Sequence, residues 1–297
     1  MKIELIIVTF EKEYNKLLLL LNSIELYANN IFENILIVLQ GQSNSKFKEI
    51  LLEYLKNRNF SFINILKVKE QYEYINFKFE SDYSGWYIQQ ILKVLAAKNS
   101  SCDYSYILDT KQFFVNNFNI SDIFIDRLPI TELIKIDWPE DSYMFLANKN
   151  CYNEVCLNYL DFKDKSLGVL TPYIFINKIV RDCVTFLEEK YKLQFYQIFM
   201  DLKLTEFYMY EAFLHANYKV NEIYSIQKNN ITKIIWDHNV KNLDYYLKQI
   251  ESEDVKIFGI HKSAHNVLNL TEKEKLKALC TSKVPNYLFN NSIYNYD

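Results

Sequence analysis

Short apolar runs that alternate with helical stretches limit the folds available to the first third of this chain. Ile3–Thr9 is an almost continuous apolar run, which is typical of a strand covered on both faces. Two further apolar runs, Asn34–Leu39 and Phe62–Val68, follow stretches that predict helices, Glu11–Tyr27 and Lys46–Lys56. This β-α-β-α-β order predicts an α/β fold with a Rossmann-type, mostly parallel sheet flanked by helices.

The chain changes character after Asp109, and the remainder predicts an α+β C-terminal half. The predicted strands are Glu132–Ile136, Ser142–Asn148, Lys219–Ile226, Ile231–Trp236 and Val255–Phe258. The predicted helices are Val155–Leu160, Tyr173–Tyr191, Glu206–Ala216, Leu243–Ile250 and Thr271–Ala278. Thr171 and Pro172 suit the start of the helix at Tyr173, as its N-cap and its first residue.

The overall composition excludes several classes of protein. A net charge of -3 gives no field that would attract nucleic acid, and the chain has neither a basic run nor zinc-knuckle spacing. No apolar stretch approaches the roughly 18 residues that span a bilayer, and no signal peptide is visible. Five scattered cysteines without CxxC spacing predict reduced thiols in a cytosolic protein. They are Cys102, Cys151, Cys156, Cys183 and Cys280.

A helix predicted to begin near Gly85 has two distinct faces. One is a core stripe at i, i+3, i+4 and i+7, formed by Ile88, Ile91, Leu92 and Leu95. The adjoining face carries an indole, two amides and an ammonium group at the same spacing, namely Trp86, Gln89, Gln90 and Lys93. Side chains of these types suit a polar ligand with negative charge. The structural alternative is that Trp86 is a core residue and the polar groups are solvated.

A predicted strand over Tyr104–Leu108 leads directly into Asp109. Open α/β sheets bind ligands just beyond the carboxyl ends of their strands, and a carboxylate there commonly holds a metal ion or sugar hydroxyls. The structural alternative is an aspartate that caps the next turn. Lys111, two residues later, provides a compact cation that could face a diphosphate.

Two carboxylates are candidates for a general base. Glu206 lies in the first turn of a predicted helix and shares a face with the apolar residues Met209, Tyr210 and Phe213. A partly buried acid of this kind suits a base or a ligand of sugar hydroxyls, and the structural alternative is a carboxylate that stabilises the helix dipole. Asp237 follows a short predicted strand, where an exposed loop is the alternative. Glu211, on another face of the helix, is predicted to be solvated.

His261 and His265 are candidates for a metal site because of their spacing. His261 follows a predicted strand, and His265 lies four residues later. A helical segment would place both imidazoles on one face, where they could bind a metal ion. No Glu or Cys partner with the right spacing accompanies them, which argues against a zinc site.

Four motifs occur along the chain in a fixed order. They are Gly-Trp-x-x-Gln-Gln-x-Leu-Lys, a strand that ends in Leu-Asp, Thr-Pro, and Thr-Glu-x-x-x-Tyr. This order resembles a group of bacterial glycosyltransferase-like proteins of unknown function, which are similar to GT-A enzymes of surface polysaccharide synthesis. The resemblance extends from about Ile3 to His261. The matching positions are Gly85, Trp86, Gln89, Gln90, Leu92, Lys93, Leu108, Asp109, Thr171, Pro172, Thr205, Glu206 and Tyr210.

The resemblance implies a GT-A-like fold and a glycosyltransferase that uses a nucleotide-sugar donor and a capsule or lipooligosaccharide-type glycan acceptor. It implies one domain over residues 1–270, with a nucleotide-sugar-binding half (1–115) and an acceptor half (116–270), then a C-terminal helix and tail (271–297). The expected location is the cytoplasm or the inner face of the cytoplasmic membrane. Glu206 is the first choice for the base and Asp237 the second. The expected donor-binding residues are Thr9, Trp86, Gln89, Gln90, Lys93, Asp109 and Lys111.

The chain departs from the family pattern at one acidic position. Asp109 would be the first acid of the DxD element that normally holds a divalent metal, and Lys111 replaces the second. One hypothesis is that Lys111, with Lys93, supplies positive charge in place of Mn²⁺ or Mg²⁺. A second is that the metal still binds, through Asp109 and His261. A third is a non-catalytic protein that binds nucleotide sugars or glycans. A nucleotidyltransferase would need clustered acids that this region lacks.

Overall fold

The structure is a computed structural model that describes residues 1–41, 45–75, 84–135, 138–155, 165–168, 170–228, 231–252 and 254–285. Its strands are β1 (Ile3–Thr9), β2 (Asn34–Leu39), β3 (Leu66–Glu70), β4 (Tyr104–Ile107), β5 (Gln112–Phe114), β6 (Phe124–Ile125), β7 (Leu128–Thr131), β8 (Ile134–Lys135), β9 (Lys165–Ser166), β10 (Tyr173–Ile176), β11 (Ser225–Ile226), β12 (Thr232–Ile235) and β13 (Ile257–Ile260). Its helices are α1 (Tyr14–Tyr27), α2 (Ser45–Arg58), α3 (Ser84–Asn99), α4 (Tyr143–Val155), α5 (Asn177–Tyr191), α6 (Phe195–Asp201), α7 (Glu206–Asn217), α8 (Val220–Ile223), α9 (Leu243–Glu251), α10 (Lys262–Val267) and α11 (Leu270–Lys283).

Five strands form the main sheet in the order β10-β4-β1-β2-β3. Strands β1 to β4 are parallel to one another, and β10 is antiparallel to β4, with Tyr173 opposite Ile107. Every residue of the central strand β1 is buried, as expected for a strand covered on both faces. The predicted Rossmann-type, mostly parallel sheet is therefore confirmed.

The strand order places a switch point between β1 and β4. From β1 the chain first builds outward through β2 and β3, and then it returns to the other side of β1 to form β4. The connections on the two sides leave a crevice at the carboxyl ends of β1 and β4, where sheets of this type bind their ligands. Thr9 ends β1, and Asp109 follows β4, so both lie at this edge.

The two faces of the sheet contact different helices. Leu5 and Ile7 of β1 belong to a buried cluster that includes the leucines of α1. Ile6 and Val8 face the other way, into a cluster with residues of α3, α5 and α7. This alternation follows from the two-residue period of a strand. It puts α3 and α7 on the same side of the sheet, and so brings Lys93 and Glu206 into the same layer.

The second half of the chain combines small sheets with helices, so the predicted α+β character is confirmed. Strand β12 runs parallel to β13, and β13 pairs antiparallel with β5, the strand that follows Asp109. Two further small sheets join β6 and β7 to β11, and β8 to β9. Leu276 and Cys280 of the last helix are buried in the same cluster as Leu5. The exact domain boundaries stay a prediction.

The predicted strand over Ser142–Asn148 is wrong, because this segment begins helix α4. Ala147, Cys151 and Val155 are buried at a four-residue spacing, which is the period of a helix that faces the core. The hydroxyl of Ser142 accepts a hydrogen bond from the backbone amide of Phe145 over 3.2 Å, as an N-cap residue does. The short apolar run at the start of the segment resembles a strand, so the helical spacing was not recognised in the sequence.

The helix predicted from Tyr173 in fact begins at Asn177. Tyr173–Ile176 is the antiparallel edge strand β10, because its β-branched and aromatic residues pair with β4. Thr171 is therefore not a helix cap. The predicted strand over Lys219–Ile226 is only partly correct, since Val220–Ile223 forms the single-turn helix α8 and the strand β11 is limited to Ser225–Ile226.

The remaining predicted elements that fall on described residues overlap observed strands and helices. The predicted helix at Val155–Leu160, beyond its first residue, and the tail from residue 286 onward lie outside the described residues. Within the described ranges, no helix has both the length and the apolar character that a membrane span requires. Cys102, Cys151, Cys183 and Cys280 are buried free thiols, and Cys156 lies outside the described residues.

Candidate active site

Asp109 is the centre of a charged cluster at the switch point of the sheet. One carboxylate oxygen, Oδ1, lies 2.9 Å from Nζ of Lys93, and the other, Oδ2, lies 3.0 Å from Nζ of Lys111. The hydroxyl of Thr171 also donates a hydrogen bond to Oδ2 over 2.8 Å. Burial alone would raise the pKa of Asp109, but the two ammonium groups outweigh it and hold this pKa well below its usual range. Asp109 is therefore ionised at all physiological pH values.

Lys93 joins Asp109 to Glu206. Its side chain is 5% exposed, and its Nζ lies 3.4 Å from Oε1 of Glu206. Burial opposes the charged form of Lys93, but the two carboxylates outweigh burial and raise its pKa. The ammonium group also lies 5.7 Å from the ring centre of Phe207, within range of a cation–π interaction. The buried charge of Lys93 is thus compensated from three sides.

Glu206 is the first residue of α7, and its carboxylate is held in a buried position. Burial raises its pKa, and the nearby Lys93 only partly offsets this effect. Its backbone amide donates a hydrogen bond to the side-chain oxygen of Gln90 over 3.2 Å. Gln90 is itself buried. A carboxylate with a raised pKa accepts a proton more readily than an ordinary surface glutamate, which suits a general base.

The predicted polar face of α3 divides into an inner and an outer part. Gln90 and Lys93 point inward to the charged cluster, while Gln89 is half-buried and its amide approaches the carbonyl oxygen of Val8 at 3.4 Å. Trp86 is 47% exposed and contacts the rings of Tyr87 and Tyr143 edge-on. The indole therefore lies at the surface, rather than in the core.

Thr9 lies at the same edge of the sheet, at the end of β1. It is fully buried, and its hydroxyl has no hydrogen-bond partner among the described residues. Its backbone carbonyl accepts a hydrogen bond from the amide of Gln40 over 2.7 Å. A buried hydroxyl without a partner is uncommon in a folded protein and calls for an explanation such as a ligand or a water molecule.

Gln112 is a site residue that the sequence analysis missed. Its side chain is buried, accepts a hydrogen bond from the amide of Asp109 over 3.2 Å and donates one to the carbonyl oxygen of Thr171 over 2.5 Å. It thereby connects the two segments that meet at the carboxylate. Gly259 faces this side chain, and a Cβ atom there would lie 2.9 Å from Cγ of Gln112. Glycine is therefore required for β13 to approach so closely.

His261 lies beside the cluster, at the end of β13. Its ring stacks on Trp236 with 3.9 Å between the ring centres, and its Nδ1 lies 2.9 Å from the hydroxyl of Ser263. Burial lowers the pKa of His261, and the charge of Lys111 lowers it further. His265 is buried in α10, where burial lowers its pKa to about 4. His261 is the N-cap residue of α10 and His265 lies within this helix, so the segment is not helical throughout, as a shared metal face would need.

Asp237 stands apart from the charged cluster. Its side chain is 55% exposed and lies 3.5 Å from Nδ1 of His238. Its charge acts on His261, but within the described parts of the chain it forms no ion pair with Lys93 or Lys111. The structure thus brings only the first of the two predicted bases, Glu206, into the site.

Glu211 is buried, so the prediction that it is solvated is wrong. Its carboxylate accepts hydrogen bonds from the hydroxyl of Ser166 and the amide of Leu167, over 2.7 and 2.8 Å. His215 lies 3.6 Å away on the next turn. Residues 206–214 of α7 are all buried, because the helix is covered on every side, and Glu211 satisfies polar groups of a neighbouring strand.

The residues around Asp109 do not fit a divalent metal ion. Mg²⁺ requires a near-octahedral set of oxygen ligands, but both oxygens of Asp109 are already paired with ammonium groups. In the described ranges, no group of three His, Cys, Asp or Glu side chains is placed to hold a metal. His261, the further ligand considered from the sequence, has its pKa lowered by burial and by the charge of Lys111, which also disfavours a cation there.

A cavity of about 1040 Å³ adjoins the site. Its lining includes Thr171, which contacts Asp109, and Trp236, which contacts His261. Tyr106 and Thr232 also line it, and the hydroxyls of both are buried without a hydrogen-bond partner among the described residues. The charged side chains along its wall are balanced, with three acids and three lysines: Asp122, Glu132, Asp254, Lys228, Lys233 and Lys256.

Comparison with solved structures identifies the fold. The galactosyltransferase LgtC, in complex with donor and acceptor sugar analogues, is similar over 94% of this chain and 96% of its own, with a TM-score of 0.50 and 10% identity. The apo-form glycosyltransferase GlyE of Streptococcus pneumoniae TIGR4 matches 99% of this chain, with a TM-score of 0.45 and 12% identity. This chain spans 62% of the length of GlyE. The fold is GT-A-like, as the sequence resemblance implied.

Sequence comparison places the chain in a family. No protein of curated function matches it in sequence. One family pattern covers residues 1–281, which include every residue of the charged cluster and the elements around it. The chain therefore belongs to DUF6492, a family of unknown function.

Proposed function

We propose that this protein is a glycosyltransferase that moves a sugar from a nucleotide-sugar donor to a glycan acceptor. The observation that carries the proposal is the buried cluster of Asp109, Lys93 and Glu206 at the switch point of a GT-A-like sheet. A buried charged cluster of this kind, with pKa values shifted by specific partners, is characteristic of functional sites. A purely structural ion pair at this place would not require three charged groups from three different segments.

The donor is proposed to lie at the carboxyl edge of β1 and β4. Thr9 offers an unpartnered hydroxyl there, and Lys111 adds positive charge next to Asp109. Trp86 presents an exposed aromatic face at the start of α3. These groups match the parts of a nucleotide sugar, which combines hydroxyls, a negatively charged diphosphate and an aromatic base.

The proposed reaction exchanges one bond at the anomeric carbon of the donor. The oxygen of an acceptor hydroxyl forms a bond to this carbon, and the bond to the diphosphate oxygen breaks, with its electron pair leaving on the diphosphate. In an inverting reaction, the acceptor proton passes to Glu206, whose pKa is raised by burial. Asp237 is the second choice for this base. A retaining reaction would leave Glu206 to orient Lys93 and the sugar.

The acceptor is proposed to be a glycan of the capsule or lipooligosaccharide type, bound in the cavity behind Thr171 and Trp236. The cavity is lined in part by Thr171, Tyr106 and Thr232, residues that carry hydroxyl groups suited to the hydrogen bonds of a saccharide. Its balanced wall charges suit an uncharged saccharide better than a strongly anionic one. This proposal agrees with a protein that works in the cytoplasm or at the inner face of the membrane.

A non-catalytic nucleotide-sugar-binding protein is the second candidate. The observation in its favour is that both oxygens of Asp109 are paired with lysines, which departs from the metal-binding DxD pattern. Such a protein would bind the donor but would not break the bond at the anomeric carbon.

A donor screen separates these candidates. The purified protein would be tested with UDP-, GDP- and CMP-sugars for a shift in melting temperature and for release of the free nucleotide, with and without a panel of glycan acceptors. A ligand that binds only the folded state raises the melting temperature. We expect one nucleotide class to stabilise the protein and to be released. Binding without release for every acceptor would favour the non-catalytic candidate, and no binding at all would overturn both.

A further inference from the structure

Three lysines from separate segments act on one another electrostatically, and one of them, Lys111, pairs with Asp109. Lys111 follows Asp109, Lys16 belongs to α1, and Lys262 is the first residue of α10, directly after His261. We call them the lysine cluster. Strand β13, which leads to Lys262, is joined to the Asp109 segment because the amide of Ile260 donates a hydrogen bond to the carbonyl oxygen of Lys111 over 3.2 Å.

Glu13 holds α1 against the same segment. Its carboxylate accepts a hydrogen bond from the hydroxyl of Thr110 over 2.5 Å, and its other oxygen lies 3.6 Å from Nζ of Lys16. The side chain of Lys16 is 13% exposed, so most of it is covered by neighbouring residues and not by solvent. Two independent contacts therefore direct Lys16 and Lys111 to the same region.

The members of the lysine cluster repel one another. Burial lowers the pKa of Lys16, and the charges of Lys111 and Lys262 lower it further, although Glu13 opposes them. The pKa of His261 is lowered by burial and then by Lys111 and Lys16. Lys93 adds a fourth ammonium group to this region, where Glu13, Asp109 and Glu206 supply carboxylates and Asp237 acts on the neighbouring His261.

We propose that the lysine cluster binds the diphosphate of the donor, and that the site does so without a divalent metal ion. This inference rests on the proposed function, and it names how the donor is held. Each ammonium group has three donors, so Lys111 is able to bind both Asp109 and a phosphate oxygen. A diphosphate between the lysines would relieve their repulsion, and it would leave the transferred sugar near Asp109 and Glu206.

Inorganic pyrophosphate is the probe for this inference, because it carries the diphosphate without the base or the sugar. Its binding to the full chain would be measured by isothermal titration calorimetry at fixed ionic strength, once with EDTA and once with Mn²⁺. We expect equal affinity in both. Lys16→Gln, Lys111→Gln and Lys262→Gln should each weaken binding about tenfold or more, as expected for the loss of one charge-assisted hydrogen bond.

Lys56→Gln is the matched control. Lys56 is exposed and lies near the end of α2, which returns from the carboxyl edge to the opposite edge of the sheet between β2 and β3. Its replacement should leave pyrophosphate binding unchanged. Circular dichroism and melting temperature would establish that each variant is folded, and Lys262, as an exposed residue, gives a variant that folding defects do not affect.

The outcomes separate this inference from the proposed function. Pyrophosphate binding that requires Mn²⁺, or that is unaffected by all three cluster substitutions, would overturn the inference and leave the glycosyltransferase proposal standing. Equal competition by sulfate at the same ionic strength would indicate general anion attraction, and would also overturn it. Metal-independent binding of pyrophosphate without turnover of any nucleotide sugar would instead support the lysine cluster and count against the enzyme.

Discussion

The backbone amide of Glu206 donates a hydrogen bond to the side-chain oxygen of Gln90, and the two residues are 116 positions apart in the chain. The first amides of a helix have no partner within the helix, and Thr205, the N-cap residue of α7, makes no capping hydrogen bond with its side chain. Gln90 of α3 takes over this role. Lys93, nearly one turn later on the same helix, contacts the Glu206 carboxylate, so one helix fixes both the backbone and the side chain of Glu206.

Gln90→Ala should lower both stability and turnover. The loss of a helix cap costs about 1 kcal/mol, and the freed start of α7 should move Glu206 and reduce kcat. Urea unfolding and steady-state kinetics measure the two effects. The control is Gln197→Ala, because the Gln197 side chain accepts a hydrogen bond from the backbone amide of Gln194 at the start of the separate helix α6 over 3.1 Å, and its loss should affect stability alone. An equal loss of kcat in both variants would contradict the positioning role of Gln90.

Asp109→Ala should abolish turnover, because it removes the carboxylate that Lys93 and Lys111 share. Removal of one partner from a buried ion pair also destabilises a protein, by about 3–5 kcal/mol. Nucleotide release from the best donor measures the first effect. Asp103→Ala serves as the control, since Asp103 precedes β4 at the opposite edge of the sheet and is 59% exposed. Full activity of Asp109→Ala would exclude Asp109 from the donor site.

Lys111→Asp should make activity respond to Mn²⁺. The substitution restores the second acid of the DxD pattern and removes one ammonium group from Asp109, so two carboxylates become available to a divalent ion. Turnover would be measured over a range of Mn²⁺ concentrations, with EDTA as the zero point, for the variant and the wild type. If turnover of both proteins depended on Mn²⁺ in the same way, Lys111 would not be the residue that replaces the metal ion.

His265 should make stability depend on pH. Burial, followed by the charges of Lys16 and Lys273, lowers its pKa to about 4 in the folded protein, while an unfolded histidine titrates near pH 6.5. The unfolded chain thus binds a proton first as the pH falls. The stabilisation is complete above about pH 6.5 and is lost toward pH 4, and it amounts to about 3 kcal/mol.

Unfolding free energies of wild type and His265→Gln, measured between pH 7.5 and pH 4, test this dependence. The wild type should lose more stability than the variant across this range. His238→Gln is the matched control, because the side chain of His238 is 73% exposed, and its profile should follow the wild type. Parallel profiles for wild type and His265→Gln would show that His265 does not cause the effect.

Tyr106→Phe should stabilise the protein by about 1 kcal/mol, because a buried hydroxyl without a partner costs free energy. Its ring packs against Phe32 and Phe118, and phenylalanine would keep these contacts. Tyr224→Phe is a control with the opposite expected effect on stability, since the Tyr224 hydroxyl contacts that of Tyr210 and donates a hydrogen bond to the carbonyl oxygen of Ile174. It should be destabilising by a similar amount. Urea unfolding measures both, and a loss of stability in Tyr106→Phe would show that its hydroxyl has a partner.

Local patterns were sufficient to predict the frame of the molecule. The apolar runs at Ile3–Thr9 and Asn34–Leu39 correspond to buried strands because both faces of these strands are covered, a condition that is visible in the residues themselves. The same reasoning failed at Tyr173–Ile176, where pairing with β4 and not the local pattern decided the structure. Edge strands of this kind depend on contacts with residues far away in the chain.

The charged cluster was predictable in its members but not in its arrangement. The residue types and strand ends indicated Asp109, Lys93 and Glu206 one by one, and the structure places them in contact. Nothing local indicates that Lys16 faces Lys111, because that proximity depends on the Glu13 contact with Thr110. Asp237 was chosen by the same local criteria as Glu206, and its strand leads to the surface instead.

Thr171 couples two regions of the molecule, because it lines the cavity and also donates its hydroxyl hydrogen bond to Asp109. A ligand that shifts Thr171 from the cavity side must therefore change the surroundings of the carboxylate, and a ligand at the carboxylate must change the cavity wall. Thermodynamic linkage requires the two effects to be equal in binding free energy. The order in which the two ligands arrive can then alter how fast the ternary complex forms, while its final stability is the same by either route.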